Sequence, residues 1–202
     1  MSPFRCDEID TLCRAIAHRR SLGLARYQPD KPVGRELIER MLRAADWAPS
    51  HNETEPWRFT VFTGESRRAL GEAFGEVYRL GVSEADYRRE AYEANCAKVW
   101  HAPVWISIAM VPALNPDGTM RMTVEEELMA VACAVQNLHL VASAQGLAGM
   151  WHSKGQSIHP HIASFLGLEP PSRLLGFFYC GWPAIEWPHG ERRPLEEKVR
   201  WR

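Results

Sequence analysis

The sequence has no excess charge of either sign. Its 24 Lys and Arg face 25 Asp and Glu, for a net charge of −1. That removes the electrostatic case for nucleic acid or an anionic membrane as a partner. It has no CxxC pair, and its five cysteines stand scattered at 6, 13, 96, 133 and 180. An odd, dispersed set argues against a disulfide framework or a zinc knuckle and suits a reducing cytoplasm. The opening MSPFRCDEID lacks the apolar stretch of a secretory leader. The longest apolar run, near 128–144, is broken by Gln136, Asn137, His139 and Ser143, so it reads as a buried helix and not a membrane span. GxGxxG, GxxxxGK[ST] and GxSxG are all missing, which excludes Rossmann, P-loop and nucleophile-elbow readings. His159-Pro160-His161 has no carboxylate or cysteine at supporting spacing, so no metal site is expected.

What is present fits one soluble domain over 1–202, 46% apolar and 24% charged, with no repeat and no linker. Ile9, Leu12, Cys13 and Ile16 recur on one helical face within 7–20, acidic at its start and basic at its end, as the helix dipole prefers. A second amphipathic helix covers 35–47 and stops at Pro49. Residues 58–63 alternate as a strand, 65–80 and 84–100 read as helices, and 103–111 is an apolar run suited to a central strand. Thr123 and Glu126 form a capping box for a helix that ends at Gly146 as the C′ residue. That helix is apolar almost all round and is expected to run through the core, with Cys133 inside. A short strand and loop (146–155), a short helix (159–166) and a buried strand (173–181) come next, then a Pro-rich tail. Helices interleaved with three or four strands make one α/β or α+β layer structure.

Four stretches could carry chemistry. Arg19-Arg20-Ser21 closes the first helix; it either compensates the dipole or offers guanidinium forks and a hydroxyl to a phosphate or polyol. APSHNETEPW, 48–57, is either a Pro-bracketed turn or a rim offering Ser50, His51 and Asn52 to a planar heteroaromatic ligand, with Trp47 and Trp57 as walls. GLAGMWHS, 146–153, places glycines where backbone can approach a ligand closely. Arg192-Arg193 is a second basic pair, either a solvated face or a partner for the first pair.

Taken together and in this order, RRS, APSH…PW, a long helix ending AQG, GLAGMWHS, FFYCGWP and RRPLEE resemble the nitroreductase family, above all its short members, over roughly 9–198. The resemblance implies an α+β fold with a mixed, mostly antiparallel sheet flanked by helices, and a C-terminal segment extending to a partner subunit. It implies a homodimer with FMN at the interface, reduced by NADPH or NADH, passing hydride by ping-pong exchange to a nitroaromatic, quinone or similar electron-poor acceptor. Different flavin chemistry on the same fold, or a non-enzymatic flavin-binding module, are the alternatives. By the same resemblance, Arg19, Arg20 and Ser21 hold the FMN phosphate and ribityl groups, and Arg192 or Arg193 completes the clamp. Pro49, Ser50 and His51 approach the flavin from the other subunit. Gly149, Trp151, His152 and Ser153 line it, and Val141, Ala142, Ser143, Ala144, Gln145 and Gly146 border the nicotinamide. No side chain is assigned as a dedicated acid or base.

The sequence also departs from the family. Where many members place a cation two residues after the RRS serine stands Gly23; either Arg26 substitutes, or the flavin N1/O2 edge lacks that cation. Glu53 and Glu55 replace an Asn and a Gln before Pro-Trp and are expected to face solvent or an arginine. Trp47 replaces a basic residue of some short relatives.

Overall fold

The computed structural model describes residues 3–202; Met1 and Ser2, the first two residues of the opening segment, lie outside it. In chain order the elements are α1 (Cys6–His18), α2 (Arg35–Asp46), β1 (Trp57–Thr63), α3 (Arg67–Leu80), α4 (Arg89–Ala97), β2 (Val104–Met110), α5 (Val124–Ala144), β3 (Ala148–His152), α6 (Pro160–Phe165) and β4 (Arg173–Gly181). Their type and order are those read from the sequence. The helix expected from 84 begins only at Arg89. Ser83 instead closes a turn with Asp86, and the Arg88 amide donates to the Tyr78 hydroxyl, so the polar side chains there hold a loop.

The four strands form an antiparallel sheet in the order β1-β2-β4-β3. The one parallel pairing among the described residues is an isolated bridge between Ser21 and Gly149, on the free edge of β3. Every residue of β2 is buried, as a strand covered on both faces requires. One face packs on α2 and α5 around Met41, Ile106, Val131, Leu138 and Phe178. The other packs on α3 and the turn after α4, around Leu70, Phe74, Trp105, Phe177 and Tyr179. A register shift falls between Ile108 and Ala109 opposite Gly176, whose φ of +113 only glycine adopts readily. The bulge leaves Leu175 out of the ladder, and its carbonyl accepts the Trp151 indole N–H at 2.9 Å.

α5 departs from expectation. Its Thr123–Glu126 capping box forms, and Gly146 closes it in a Schellman arrangement, with the Leu147 amide on the Ala142 carbonyl and the Gly146 amide on Ser143. Yet only one side of the helix enters the core. Met129, Ala132, Cys133 and Gln136 are exposed, so Cys133 is a surface residue and not a core one. The spacing of these four residues is that of one helical stripe. α1 is stranger still: it is amphipathic, but no residue of it is buried, and Leu12 is 57% exposed at the centre of its apolar face.

The tail after β4 folds back on its own chain. The Gln28 amide donates to the Trp182 carbonyl and the Ala184 amide to the Arg26 carbonyl. The Trp182 indole donates to the Pro32 carbonyl, and Trp187 reaches the end of α1. Residues 182–188 are thus laid along 18–32 of their own chain.

Candidate functional site

The segment after α1 brings together residues from both ends of the chain. α1 ends at His18, and its last carbonyls are capped by Arg20, whose Nη1 donates to Ala17 and Arg19 carbonyls at 2.7 Å each. The Arg20 Nε donates to the Pro188 carbonyl at 3.0 Å. Gly190 lies so close over this guanidinium that a β-carbon there would run into it. The Trp187 indole donates to the His18 carbonyl at 2.6 Å and its ring stacks on the His18 ring. Arg20 is therefore committed to backbone: the dipole-compensating reading holds for it, and its position pins the tail.

Arg19 is different. It is half-buried, and its guanidinium reaches the Ser21 hydroxyl at 3.4 Å. Burial, then the charges of Arg192 and Arg20, hold its pKa below the usual arginine value. Arg192 of the second basic pair thus lies near enough to Arg19 for its charge to act on it. None of the ion pairs among the described residues includes Arg19, Arg20 or Arg192. Arg19 thus stands beside the Ser21 hydroxyl, within electrostatic reach of Arg192 and with no carboxylate ion-paired to it among the described residues.

Below it lies a residue that in the sequence only interrupts an apolar run. His139, on α5, is 6% exposed and packs edge-on against Phe178. Its Nε2–H donates to the Arg20 carbonyl at 3.1 Å. Burial, then the charge of Arg19, push its pKa down to about 4, so it is a neutral donor. It ties the RRS segment to α5. Gly149 must be glycine here, because a β-carbon would enter the Phe178 ring. A lone polar residue at helical spacing inside an apolar run was the available signal.

Alternation along β3 divides the other expected residues. Gly149 and Trp151 share the α5 face with Phe178, while Ala148, Met150 and His152 share the opposite face with Phe177 and Tyr179. His152 is bonded to the Ser157 hydroxyl at 2.8 Å and turns away from Ser21; Ser153 is exposed at the strand end. Of the expected nicotinamide border, Ala142 and Ser143 are buried, Val141 and Gln145 are half-buried, and only Ala144 and Gly146 are exposed. The Gln145 amide donates to the Leu37 carbonyl, while the buried Ser143 hydroxyl and Gln145 Oε1 have no protein partner. Arg26 is exposed after a short turn, and its carbonyl holds the tail.

The 48–57 segment is a tethered loop. Asn52, Glu53 and Glu55 all have φ between +43 and +53, a region costly for side chains other than glycine. Their conformation is held from α5. The His51 Nδ1–H donates to Glu126 at 2.8 Å, and the Thr54 hydroxyl donates to Glu127, a carboxyl only 1% exposed, at 2.8 Å. The His51 bond, with those from Thr123, holds the Glu126 carboxyl below the usual carboxylate range. The Ser50 hydroxyl accepts the Glu55 amide. Glu53 and Glu55 face solvent, and Pro49 is exposed. Trp57 is buried with its indole on Asp46, so it anchors β1 and cannot wall a ligand; Trp47 is 88% exposed.

A family model described as the Nitroreductase family matches residues 16–182. The chain belongs to the nitroreductase family. It is 28% identical over 171 residues to a protein of Escherichia coli (strain K12) named Putative NAD(P)H nitroreductase YdjA, covering 85% of this chain and 87% of that one. Among solved structures it superposes on the Nitroreductase-like Family Protein from Bacillus cereus with a TM-score of 0.76 and 25% identity, covering 100% of this chain and 98% of that one. It also superposes on a putative nitroreductase of Desulfovibrio desulfuricans solved in complex with FMN, with a TM-score of 0.64, 26% identity, and coverage of 95% and 96%. This nitroreductase-family chain therefore has the fold its motifs suggested, and its sheet and helices carry the RRS, APSH and WHS segments to defined places.

Proposed function

We propose that the chain is an FMN-dependent oxidoreductase that draws on NAD(P)H and reduces small electron-poor acceptors such as nitroaromatics or quinones. One observation carries the reading: in a nitroreductase-family chain, Arg19 reaches the Ser21 hydroxyl and feels the charge of Arg192, and no ion pair among the described residues includes either arginine. The donor set fits a flavin phosphate, with Arg19 and Arg192 as the forks and the Ser21 hydroxyl as a further donor. Arg20, its donors already on backbone, contributes position and field. The edge of β3 at Gly149, Trp151 and Ser153 offers close backbone approach beside that site. Bound there, FMN would supply the hydride chemistry, taking it from a nicotinamide and giving it to the acceptor in separate encounters.

The protein's part is to bind, orient and exclude water. Neutral His139 holds the carbonyl of Arg20 without adding charge below the anion. The exposed apolar faces of α1 and α5 support a homodimer, since a monomer rarely leaves such faces to water. In a dimer the Pro49-Ser50-His51 loop would approach the partner's flavin. Scattered free cysteines fit a cytoplasmic enzyme.

The test is spectroscopic. Purified protein reconstituted with FMN should show a flavin visible spectrum that bleaches under anaerobic NADPH or NADH and recovers on adding a nitroaromatic or quinone. A chain that takes up no flavin, or whose bound flavin neither nicotinamide reduces, refutes the reading.

A further inference from the structure

The loop between α2 and β1 is strained, and the entry into β1 is fixed without it. Asn52, Glu53 and Glu55 are the only residues other than glycine with positive φ among those described. Asn tolerates that region, but two of the three are glutamates, which do not favour it. Trp57 is anchored separately by its indole on Asp46, and β1 is held in register along its length by β2. Strained backbone persists only where its surroundings impose it, and it gathers where the geometry is used.

What imposes it is the first turn of α5. Glu126 turns one oxygen to its own helix cap, accepting the Thr123 amide at 3.2 Å and the Thr123 hydroxyl at 2.9 Å. The other oxygen accepts the His51 Nδ1–H at 2.8 Å. The cap fixes the carboxylate, and the carboxylate fixes the ring. Glu127 accepts the Thr54 hydroxyl, the one side-chain hydrogen bond it makes among the described residues, from a position only 1% exposed. A carboxylate is costly to bury, and the helix dipole is already served by exposed Glu125. The Ser50 hydroxyl closes the loop by accepting the Glu55 amide at 3.1 Å.

We propose that Glu126 and Glu127 are positioning residues, which set this loop so that His51 presents its Nε2 lone pair outward to a donor group of the bound flavin. With the ring proton on Nδ1, held by Glu126, Nε2 is an acceptor. It makes no hydrogen bond among the described residues, and the side chain is 60% exposed. The N–H of a flavin ring and the hydroxyls of its ribityl chain are donors that match it. This positioning role rests on the reading that the loop meets the partner subunit's flavin; it adds which groups aim the loop and which polarity the histidine offers.

The test pairs FMN affinity, by fluorescence titration, with hydrogen exchange of residues 51–55 in the same full-length variants. Glu126→Ala should weaken FMN about tenfold, as loss of one hydrogen bond predicts, and speed exchange in the loop. Glu126→Gln still suits the cap, so it folds even where Glu126→Ala does not. Its amide N–H bonds Nδ1 and moves the ring proton to Nε2. Loop exchange should then stay near wild type while FMN weakens roughly threefold or more, a split that a merely structural glutamate does not produce. Thr54→Val, which frees the loop from Glu127, should weaken FMN by about the same factor. His51→Ala should weaken it about tenfold, and adding Glu126→Ala should weaken it no further, because Glu126 acts through the ring. Additive losses overturn the proposal. So do loop exchange indifferent to Glu126→Ala, and FMN binding as tight as wild type in Glu126→Gln or Thr54→Val. Those outcomes leave the flavin reading standing, whereas wild-type protein that takes up no FMN removes both.

Discussion

His139 shows how a single residue can hold a site without touching the ligand. It is neutral in the folded chain because burial and Arg19 set its pKa near 4, against about 6.5 for an unfolded histidine. The folded pKa is the lower of the two, so between these values the unfolded chain binds the extra proton. Stability is then full above about pH 6.5 and falls as the pH drops toward 4. Urea melts should show the wild type losing about 2 kcal/mol more than His139→Gln between pH 7 and pH 5, from 1.4 kcal/mol per pKa unit over the part of that range below 6.5. At the anion site, Arg19→Gln or Arg192→Gln should weaken FMN binding about 10- to 100-fold, as loss of a charge-assisted hydrogen bond predicts, with fluorescence titration as the readout. Arg20→Gln should instead lower the melting temperature, because its guanidinium serves the backbone. The three arginines look alike in the sequence. Their division into ligand-facing and chain-pinning groups depends on Pro188 and Gly190, more than 160 residues away, and no local pattern reports that.

Among the elements, the loop between α2 and β1 and the first turn of α5 behave as one unit. Thr54 provides the hydrogen bond on the Glu127 carboxyl, whose other oxygen is already buried without a protein partner. Thr54→Val should therefore cost about 2–4 kcal/mol, seen as a lower urea midpoint at unchanged slope, and should loosen the positive-φ residues 52–55. The pattern of the sequence was enough to place every helix and strand in order, because most carry a 3.6 or 2 repeat and β2, β4 and α5 are apolar runs whose lengths separate strand from helix. What it could not place was facing. The apolar run of α5 has the composition of an all-round core helix, yet Met129 and Cys133 are exposed, since composition alone does not say which side of a helix meets the sheet. In the same way, WHS reads as one motif in the sequence, but the pleat of β3 sends Trp151 and His152 to opposite faces.

For the whole molecule, the exposed stripes of α1 and α5 are the feature least compatible with a solitary chain. Leu12→Asp with Met129→Asp alters only exposed positions of the protomer, so the circular dichroism spectrum should be retained. Sedimentation should shift from dimer to monomer, and flavin content should fall with it. The C-terminal strap has a different consequence, one of timing. The proposed anion site draws on residues 19–21 and 192, and the scaffold of His18, Arg20, Trp187 and Pro188 beside it joins partners separated by 168 and 169 positions. Chains fold from the N-terminus as they are synthesised. The sheet's first strands can pair while synthesis continues, but the proposed anion site is incomplete until Arg192 has been made. On the proposed reading, a chain cut between residues 182 and 191 would keep all four strands of the sheet, lack Arg192 and take up FMN poorly.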